Sequence, residues 1–160
     1  MKILNSKEIK ELHKKIQEAY GYSEPFTYVV FANSENKYFI APRTVEEILD
    51  KRLHIERVGI YLGQEQPEEI RLSIEGSQLI GPKATHHVLE LTPAQRDDWM
   101  LGKDIILDGE YEQAFHIVRC GEDYMGCGKY KNGTLLNYVP KERYVGAVFT
   151  DDDIITSQKK

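Results

Sequence analysis

The sequence is poor in cysteine and tryptophan, and it has no long apolar run. Its two cysteines, Cys120 and Cys127, are too few for a disulfide framework in a chain that can build its own core, which indicates a reducing compartment. No apolar run approaches the ~20 residues that a membrane helix needs, and residues 1–15 are too charged for a signal peptide. We therefore expect a cytoplasmic protein without a membrane partner.

An excess of positive charge is also missing. The formal net charge is -5 over 160 residues, so the chain lacks the overall positive charge expected of a protein that coats nucleic acid. A local cationic patch would still be enough for nucleic-acid binding. With 41% hydrophobic residues the chain can bury a core, and its length suits one compact domain or two small ones.

The first half alternates helix and strand signals. Asn5 and Glu8 predict a capping box at the start of a helix that ends near Gly21. Four β-type runs follow, with a second capping box predicted at residues 44–47. The last of these runs is "EIRLSI" at residues 69–74. The pattern indicates an α+β arrangement.

The second half is predicted to be mostly β. Strands are expected at residues 78–81 and 88–91. They precede a helix with Thr92 as N-cap, Pro93 as first residue and Gln95 as capping partner. Beyond this helix, closely spaced β-type runs and an Asn-Gly turn predict a small barrel.

Gly126, Gly128 and Lys129 resemble a phosphate-binding loop only superficially. A Walker loop needs the spacing G-x-x-x-x-G-K-S/T at the start of a helix, whereas here Tyr130 follows the lysine and a hairpin is predicted. Glycines inside a strand more often mark a bulge or a place where another backbone comes close. A nucleic-acid backbone is one such case.

The cysteines and histidines lack the spacing of a metal site. Cys120, Cys127 and His116 match none of the paired-cysteine zinc patterns. Small buried apolar positions explain both cysteines best, whereas a thiol nucleophile would need a neighbouring base and an orienting group. His86 and His87 are expected to face opposite sides of an exposed strand end. We therefore expect no metal and no cofactor.

Residues 129–143 combine a local charge of +3 with interleaved tyrosines. The charged residues are Lys129, Lys131, Lys141 and Arg143, opposed by Glu142. Lysine and arginine neutralise phosphates, and tyrosine rings stack on unpaired bases. Asn137 adds a side-chain donor and acceptor. A solvated hairpin whose lysines protect an edge strand explains the same charges equally well.

Several spaced segments of the second half resemble a known RNA-binding region. They are "LIGPKA" at 79–84, the helix at 92–105, "MGCGK" at 125–129, "NG" at 132–133 and "LNYVPK" at 136–141. In this order they resemble the PUA-type region at the C-terminus of the Sun/Fmu family of RNA cytosine-C5 methyltransferases. The layout is also similar to the pre-PUA and PUA domains of Nip-family ribosome-assembly proteins.

The resemblance implies an α+β fold in three parts. A small α/β pre-PUA-like domain would cover residues 1–76, a PUA-like β pseudobarrel residues 77–150, and a polar C-terminal tail residues 151–160. One departure is "PKERY" in place of the family's "PKGLR", because Glu142 replaces a glycine there. Because of this change, the resemblance does not predict the backbone conformation after Lys141.

The function implied is non-catalytic binding of structured rRNA or tRNA, in ribosome assembly or RNA modification. The sequence contains neither the Pro-Cys catalytic motif nor the glycine-rich methyl-donor loop of the methyltransferases. Three alternatives remain. In the first, the chain is an accessory subunit that presents RNA to a methyltransferase or ribosome-assembly factor acting in trans. In the second it is a small thiol-dependent hydrolase, and in the third a protein-interaction module without an RNA role.

The RNA contacts implied by the resemblance and the charge pattern fall into three groups. Glycines would allow close approach of RNA, cations would bind phosphate, and Asn137 and Tyr138 would contact bases or sugars. The predicted contacts are Lys83, Lys103, Arg119, Gly126, Gly128, Lys129, Lys131, Asn137, Tyr138, Lys141 and Arg143.

Overall fold

The computed structural model describes residues 1–47 and 59–146 of the 160-residue chain. The predicted tail at 151–160 and the end of the predicted barrel at 147–150 lie outside the described residues. Of the helices that are described, none is long and apolar enough to cross a membrane.

The first helix, α1, spans Ser6–Tyr20 and begins and ends as the sequence predicts. The Asn5 side chain accepts a hydrogen bond from the Glu8 N–H (2.9 Å), and the Glu8 carboxylate accepts one from the Asn5 N–H (2.9 Å). At the other end, the Gly21 N–H donates to the carbonyl of Gln17 (2.8 Å). These caps satisfy backbone groups that the ends of a helix otherwise leave without a partner.

An antiparallel sheet of five strands packs against α1. The strands are β1 (Lys2–Ile3), β2 (Val29–Ala32), β3 (Lys37–Ala41), β4 (Ile60–Gln66) and β5 (Glu69–Leu72), and they neighbour one another in that order. Leu12 and Ile16 of α1 are buried in a core shared with β2–β5. A 3-10 helix at Arg43–Glu47 takes the place of the second predicted capping box.

The next helix, α2, spans Ile74–Ile80 and differs from the prediction. The predicted strand at 78–81 is wrong because Ser73 caps a helix here, its hydroxyl accepting a hydrogen bond from the Gly76 N–H (2.9 Å). Gly76 also allows α2 to lie against β4, since a Cβ at this position would be 2.0 Å from the carbonyl oxygen of Leu62.

The second half is a curled sheet that packs around a third helix. Its elements are β6 (Val88–Glu90), α3 (Pro93–Met100), β7 (Ile105–Ile106), β8 (Phe115–Cys120), β9 (Asp123–Lys131) and β10 (Thr134–Asn137). The strand order is β6-β8-β9-β10-β7, with β6 and β8 parallel and the other neighbours antiparallel. The predicted α+β fold with a β pseudobarrel is confirmed.

Local signals place the elements of this half. The predicted capping box of Thr92 and Gln95 opens α3. Asn132 and Gly133 connect β9 to β10 with φ angles of 49° and 85°, the left-handed values that a two-residue hairpin turn requires. Trp99 of α3 is fully buried in the centre of the second hydrophobic cluster.

The two halves share the largest hydrophobic cluster of the described residues. Ile16 and Tyr20 of α1 meet Ile70 of β5, Ile117 of β8 and Cys127 of β9 in this cluster. The Tyr20 hydroxyl donates to the carbonyl of Ile70 and lies 3.6 Å from Cys127 Sγ. The predicted boundary between residues 76 and 77 falls inside α2. The division of the chain into two domains at that point stays a prediction.

Candidate functional site

The two glycines of β9 are buried, and Gly128 lies against the indole of Trp99 in α3. A Cβ on Gly128 would lie 2.7 Å from Trp99 Cη2 and 2.8 Å from Leu135 Cδ1. The indole N–H donates to the carbonyl of Met125 (3.0 Å), and Gly126 has a φ of 86° that favours glycine. The close approach at Gly128 is therefore made by Trp99, and a Cβ at Gly126 would face Ile74 at 3.4 Å. Because both glycines are buried among side chains of this protein, we leave them out of the proposed RNA surface.

Asn137 has an internal role. Its Nδ2 donates to the carbonyls of Trp99 (2.9 Å) and Lys103 (3.1 Å), and its Oδ1 accepts from the Val139 N–H (2.8 Å). Its backbone N–H donates to Asp104 Oδ1 (2.7 Å). Because these bonds hold β10 to the end of α3, Asn137 is also left out of the proposed surface.

Four of the predicted phosphate-binding cations have carboxylate partners. The pairs are Lys129–Glu69, Arg143–Glu75 (2.6 Å), Arg119–Glu90 (2.6 Å) and Lys103–Asp98 (3.3 Å). Within residues 1–47 and 59–146, the remaining three, Lys83, Lys131 and Lys141, have no ion pair. The positive charge predicted for residues 129–143 is thus partly neutralised by Glu69 and Glu75, which come from the first half.

Three of the predicted contacts lie along one segment of the first half. Lys129 is paired with Glu69, Tyr138 packs against Arg71, and Arg143 is paired with Glu75. We call Glu69, Arg71, Glu75, Lys129, Tyr138 and Arg143 the junction surface. By contrast, Arg119 is tied to β6 and Lys103 to α3.

The cationic groups Arg71 and Lys129 of the junction surface are connected through two aromatic rings, Tyr138 and the neighbouring Phe115. The guanidinium carbon of Arg71 lies 5.1 Å from the centroid of the Tyr138 ring. That ring meets Phe115 edge-on, with centroids 5.2 Å apart, and Lys129 Nζ lies 4.9 Å from the Phe115 centroid. Sequence reasoning missed Arg71. Its only signal is the alternation with buried neighbours in β5, which does not indicate that Tyr138 is its partner.

The altered motif after Lys141 has a defined conformation. Lys141–Arg143 form a 3-10 helix that follows Pro140. Arg143 NH1 donates to Glu75 Oε1 at 2.6 Å, so this turn docks on the first turn of α2. Glu142 is exposed and occupies the place of the family's glycine with ordinary helical geometry.

A cleft of about 650 Å³ lies beside the junction surface, between α1, the β4–β5 turn and the start of β8. Its lining includes five glutamates and two lysines, and Glu69 and Lys129 belong to both the cleft and the junction surface. Phosphate groups would be repelled by this excess of carboxylates. The inside of the cleft is therefore a poor place for an anionic ligand.

The thiols do not form a nucleophile with a histidine in the described part of the chain. Cys127 is buried, and burial raises the pKa of its thiol to about 11. Its polar neighbour is the hydroxyl of Tyr20, and Cys120 is half-buried without a hydrogen bond to any of the described histidines. A thiolate is the reactive form of cysteine, so the predicted alternative of a thiol-dependent hydrolase gains no support from Cys127.

The paired histidines hold the two halves together. His86 Nε2 donates to the carbonyl of Glu18 (2.9 Å), and His87 Nδ1 donates to that of Ala19 (2.6 Å). His87 has a φ of 53°, so both rings face the end of α1 and not opposite sides of a strand as predicted. They satisfy carbonyls at a helix C-terminus. Among the described residues, no group of three or more histidines, cysteines or carboxylates could hold a metal ion.

Comparison with known proteins finds a similar domain in the second half of the chain. Residues 86–144 match the family model of the Methyltransferase RsmF PUA domain. The second half resembles a methyltransferase PUA domain. This match confirms the resemblance to the C-terminal region of the Sun/Fmu family, whereas the likeness to the Nip-family layout stays a prediction.

Full-length relatives extend the similarity into the first half. The chain is 24% identical over 132 residues to Ribosomal RNA small subunit methyltransferase F of Vibrio cholerae serotype O1 (strain M66-2), covering 82% of this chain. It is 27% identical over 139 residues to the protein of the same name from Aeromonas salmonicida (strain A449), covering 87% of this chain. In both cases the match spans 28% of the relative. The catalytic module of these relatives is not among the 160 residues.

Proposed function

We propose that this protein binds structured RNA, with small-subunit ribosomal RNA as the first candidate, and that it acts in RNA modification or ribosome assembly in the cytoplasm. The match of residues 86–144 to a PUA domain carries the proposal. That stretch includes every predicted contact except Lys83. The name of the relatives supports ribosomal RNA over tRNA as the ligand.

Lys131 and Lys141 are the cations that we expect to bind phosphate most directly. Neither has a carboxylate partner in the described part of the chain, and Lys131 is exposed at the β9–β10 hairpin. Lys129 and Arg143 must exchange their partners Glu69 and Glu75 for phosphate. Exposed ion pairs contribute only about 0–1 kcal/mol, so the exchange costs little at Arg143, whereas the pair of Lys129 with Glu69 is more buried.

The test is RNA affinity measured over a range of salt concentrations. Fluorescence anisotropy of labelled fragments transcribed from small-subunit rRNA would be recorded for the full chain and for the Lys131→Ala/Lys141→Ala variant. A matched control is Lys7→Ala/Lys10→Ala, because both lysines are exposed on α1 and neither has an ion pair among the described residues. The two variants change the net charge equally.

We expect the Lys131→Ala/Lys141→Ala variant to bind more weakly and to lose about 0.7–0.9 per phosphate from the log-log salt slope. The control should match the wild type. Equal effects of the two variants would show that only overall charge matters. A wild-type chain that binds no rRNA fragment would favour a protein-interaction module instead.

A second candidate function is an accessory role, in which this chain presents RNA to a methyltransferase acting in trans. It is favoured because the relatives are methyltransferases and this chain spans 28% of their length. A tagged full chain purified from cells should then recover an RNA methyltransferase in stoichiometric amount. Recovery of RNA without an enzyme would indicate a free-standing factor.

A further inference from the structure

We propose that Arg71 of β5 is a phosphate-binding residue for RNA, so that the RNA surface extends from the barrel onto the sheet of the first half. This inference rests on the proposed RNA-binding function. It adds a residue and an element that the PUA match at 86–144 does not include.

The first argument is the charge around Arg71. Its NH2 donates to Gln64 Oε1 (2.8 Å) and its guanidinium lies over the Tyr138 ring, and both of these partners are neutral. No carboxylate is paired with it in the described part of the chain. The Arg71 guanidinium therefore keeps its positive charge for an incoming anion.

Nearby charged side chains do not cancel that charge, because they occur as pairs. Glu69, which precedes Arg71 by two residues on β5, is paired with Lys129. Glu35 and Lys37 form the next pair, across the sheet (2.6 Å). Each pair is close to neutral as a unit, so Arg71 leaves a net positive charge at this place in a chain of net charge -5.

The second argument is that the guanidinium is already held in position. Gln64 lies directly opposite Arg71 in the β4–β5 register, and Tyr138 supports the guanidinium from the barrel. A guanidinium has five N–H donors, and the hydrogen bond to Gln64 leaves donors for phosphate oxygens. An arginine fixed before the ligand arrives loses less conformational entropy on binding than a free lysine.

The alternative explanation is that Arg71 only joins the two halves by packing on Tyr138. The two explanations make different predictions for conservative variants. Arg71→Lys keeps the charge but loses the planar fork, whereas Arg71→Gln loses the charge. A purely structural role would show in the melting temperature and not in the salt dependence of RNA binding.

The experiment measures RNA affinity against salt for these variants of the full chain, using the rRNA fragment that the wild type binds. Arg71→Gln should weaken binding by about tenfold and lower the log-log slope by about 0.7–0.9. Arg71→Lys should lose affinity with an unchanged slope, because the charge stays while the planar fork is lost. Arg43→Gln is the matched control, since Arg43 is exposed and its Nε donates to the carbonyl of Thr27 (3.2 Å).

The inference is overturned if Arg71→Gln binds as tightly as Arg43→Gln while Lys131→Ala/Lys141→Ala binds weakly. That result would leave the proposed RNA function standing. Loss of affinity in Arg71→Gln without a change of the salt slope would also overturn the inference. The same holds if Arg71→Gln and Arg71→Lys both melt at so low a temperature that they are unfolded during the assay. A wild-type chain that binds inorganic pyrophosphate through Arg71 as tightly as RNA would show a free-phosphate site instead.

Discussion

Replacing Gly128 by alanine is expected to destabilise the barrel without weakening RNA binding. The added methyl group would lie 2.7 Å from Trp99 Cη2 and 2.8 Å from Leu135 Cδ1. Both distances are shorter than the distances that Cβ atoms keep from non-bonded atoms in folded proteins. Trp99 is fully buried and tied to Met125, so it cannot simply swing away. Extra volume in a packed core typically costs about 1–3 kcal/mol, and each kcal/mol lowers the melting temperature by about 2–4 °C in a chain of this size.

Thermal unfolding followed by circular dichroism measures this cost, and Trp99 fluorescence reports the same core because it is the only tryptophan. In a double-mutant cycle, Gly128→Ala combined with Trp99→Phe should be less destabilised than the sum of the two single variants, since the smaller ring relieves the overlap. RNA affinity is then measured well below the melting temperature. Unchanged stability together with a large loss of affinity would refute the reasoning, because it would mean that Gly128 makes room for RNA and not for Trp99.

Two further predictions concern titrating groups. Burial lowers the pKa of His116, so its stabilising contribution is complete above the ordinary histidine value of about 6.5 and is lost as pH falls through the lower folded value. His116→Gln should therefore lose less stability than the wild type between pH 7 and pH 5 in urea unfolding, and an identical loss would contradict this. Because the pKa of the Cys127 thiol is raised to about 11, DTNB should label Cys120 in the folded protein and Cys127 only after unfolding, whereas equal labelling would contradict the buried assignment.

Local sequence signals predicted the starts of α1 and α3 and the β9–β10 hairpin well. The capping boxes at Asn5 and Thr92 and the Asn-Gly turn lie within a few residues of the backbone groups that they satisfy. The strand predicted at 78–81 failed because the apolar run there suits both helix and strand, and the Ser73 cap that decides between them was not recognised. Capping and turn signals can be read from a sequence because they involve only residues that are close together in the chain.

The candidate site depends on partners that are distant in the chain, which is why the sequence indicated only part of it. The basic segment was visible, but Glu69 and Glu75, which neutralise two of its cations, belong to the first half. Gly128 was noticed without the Trp99 ring that explains it. The sequence does not single out Arg71, because its partner Tyr138 is distant in the chain and only the fold brings the two side chains into contact.

The salt dependence of rRNA affinity for the full chain tests the central claim most directly. If the unpaired lysines and the junction surface together neutralise two to four phosphates, the log-log slope should be about 0.7–0.9 for each of them, and it should fall in the Lys131→Ala/Lys141→Ala variant. A slope near zero, or a slope that this variant leaves unchanged, would contradict the account.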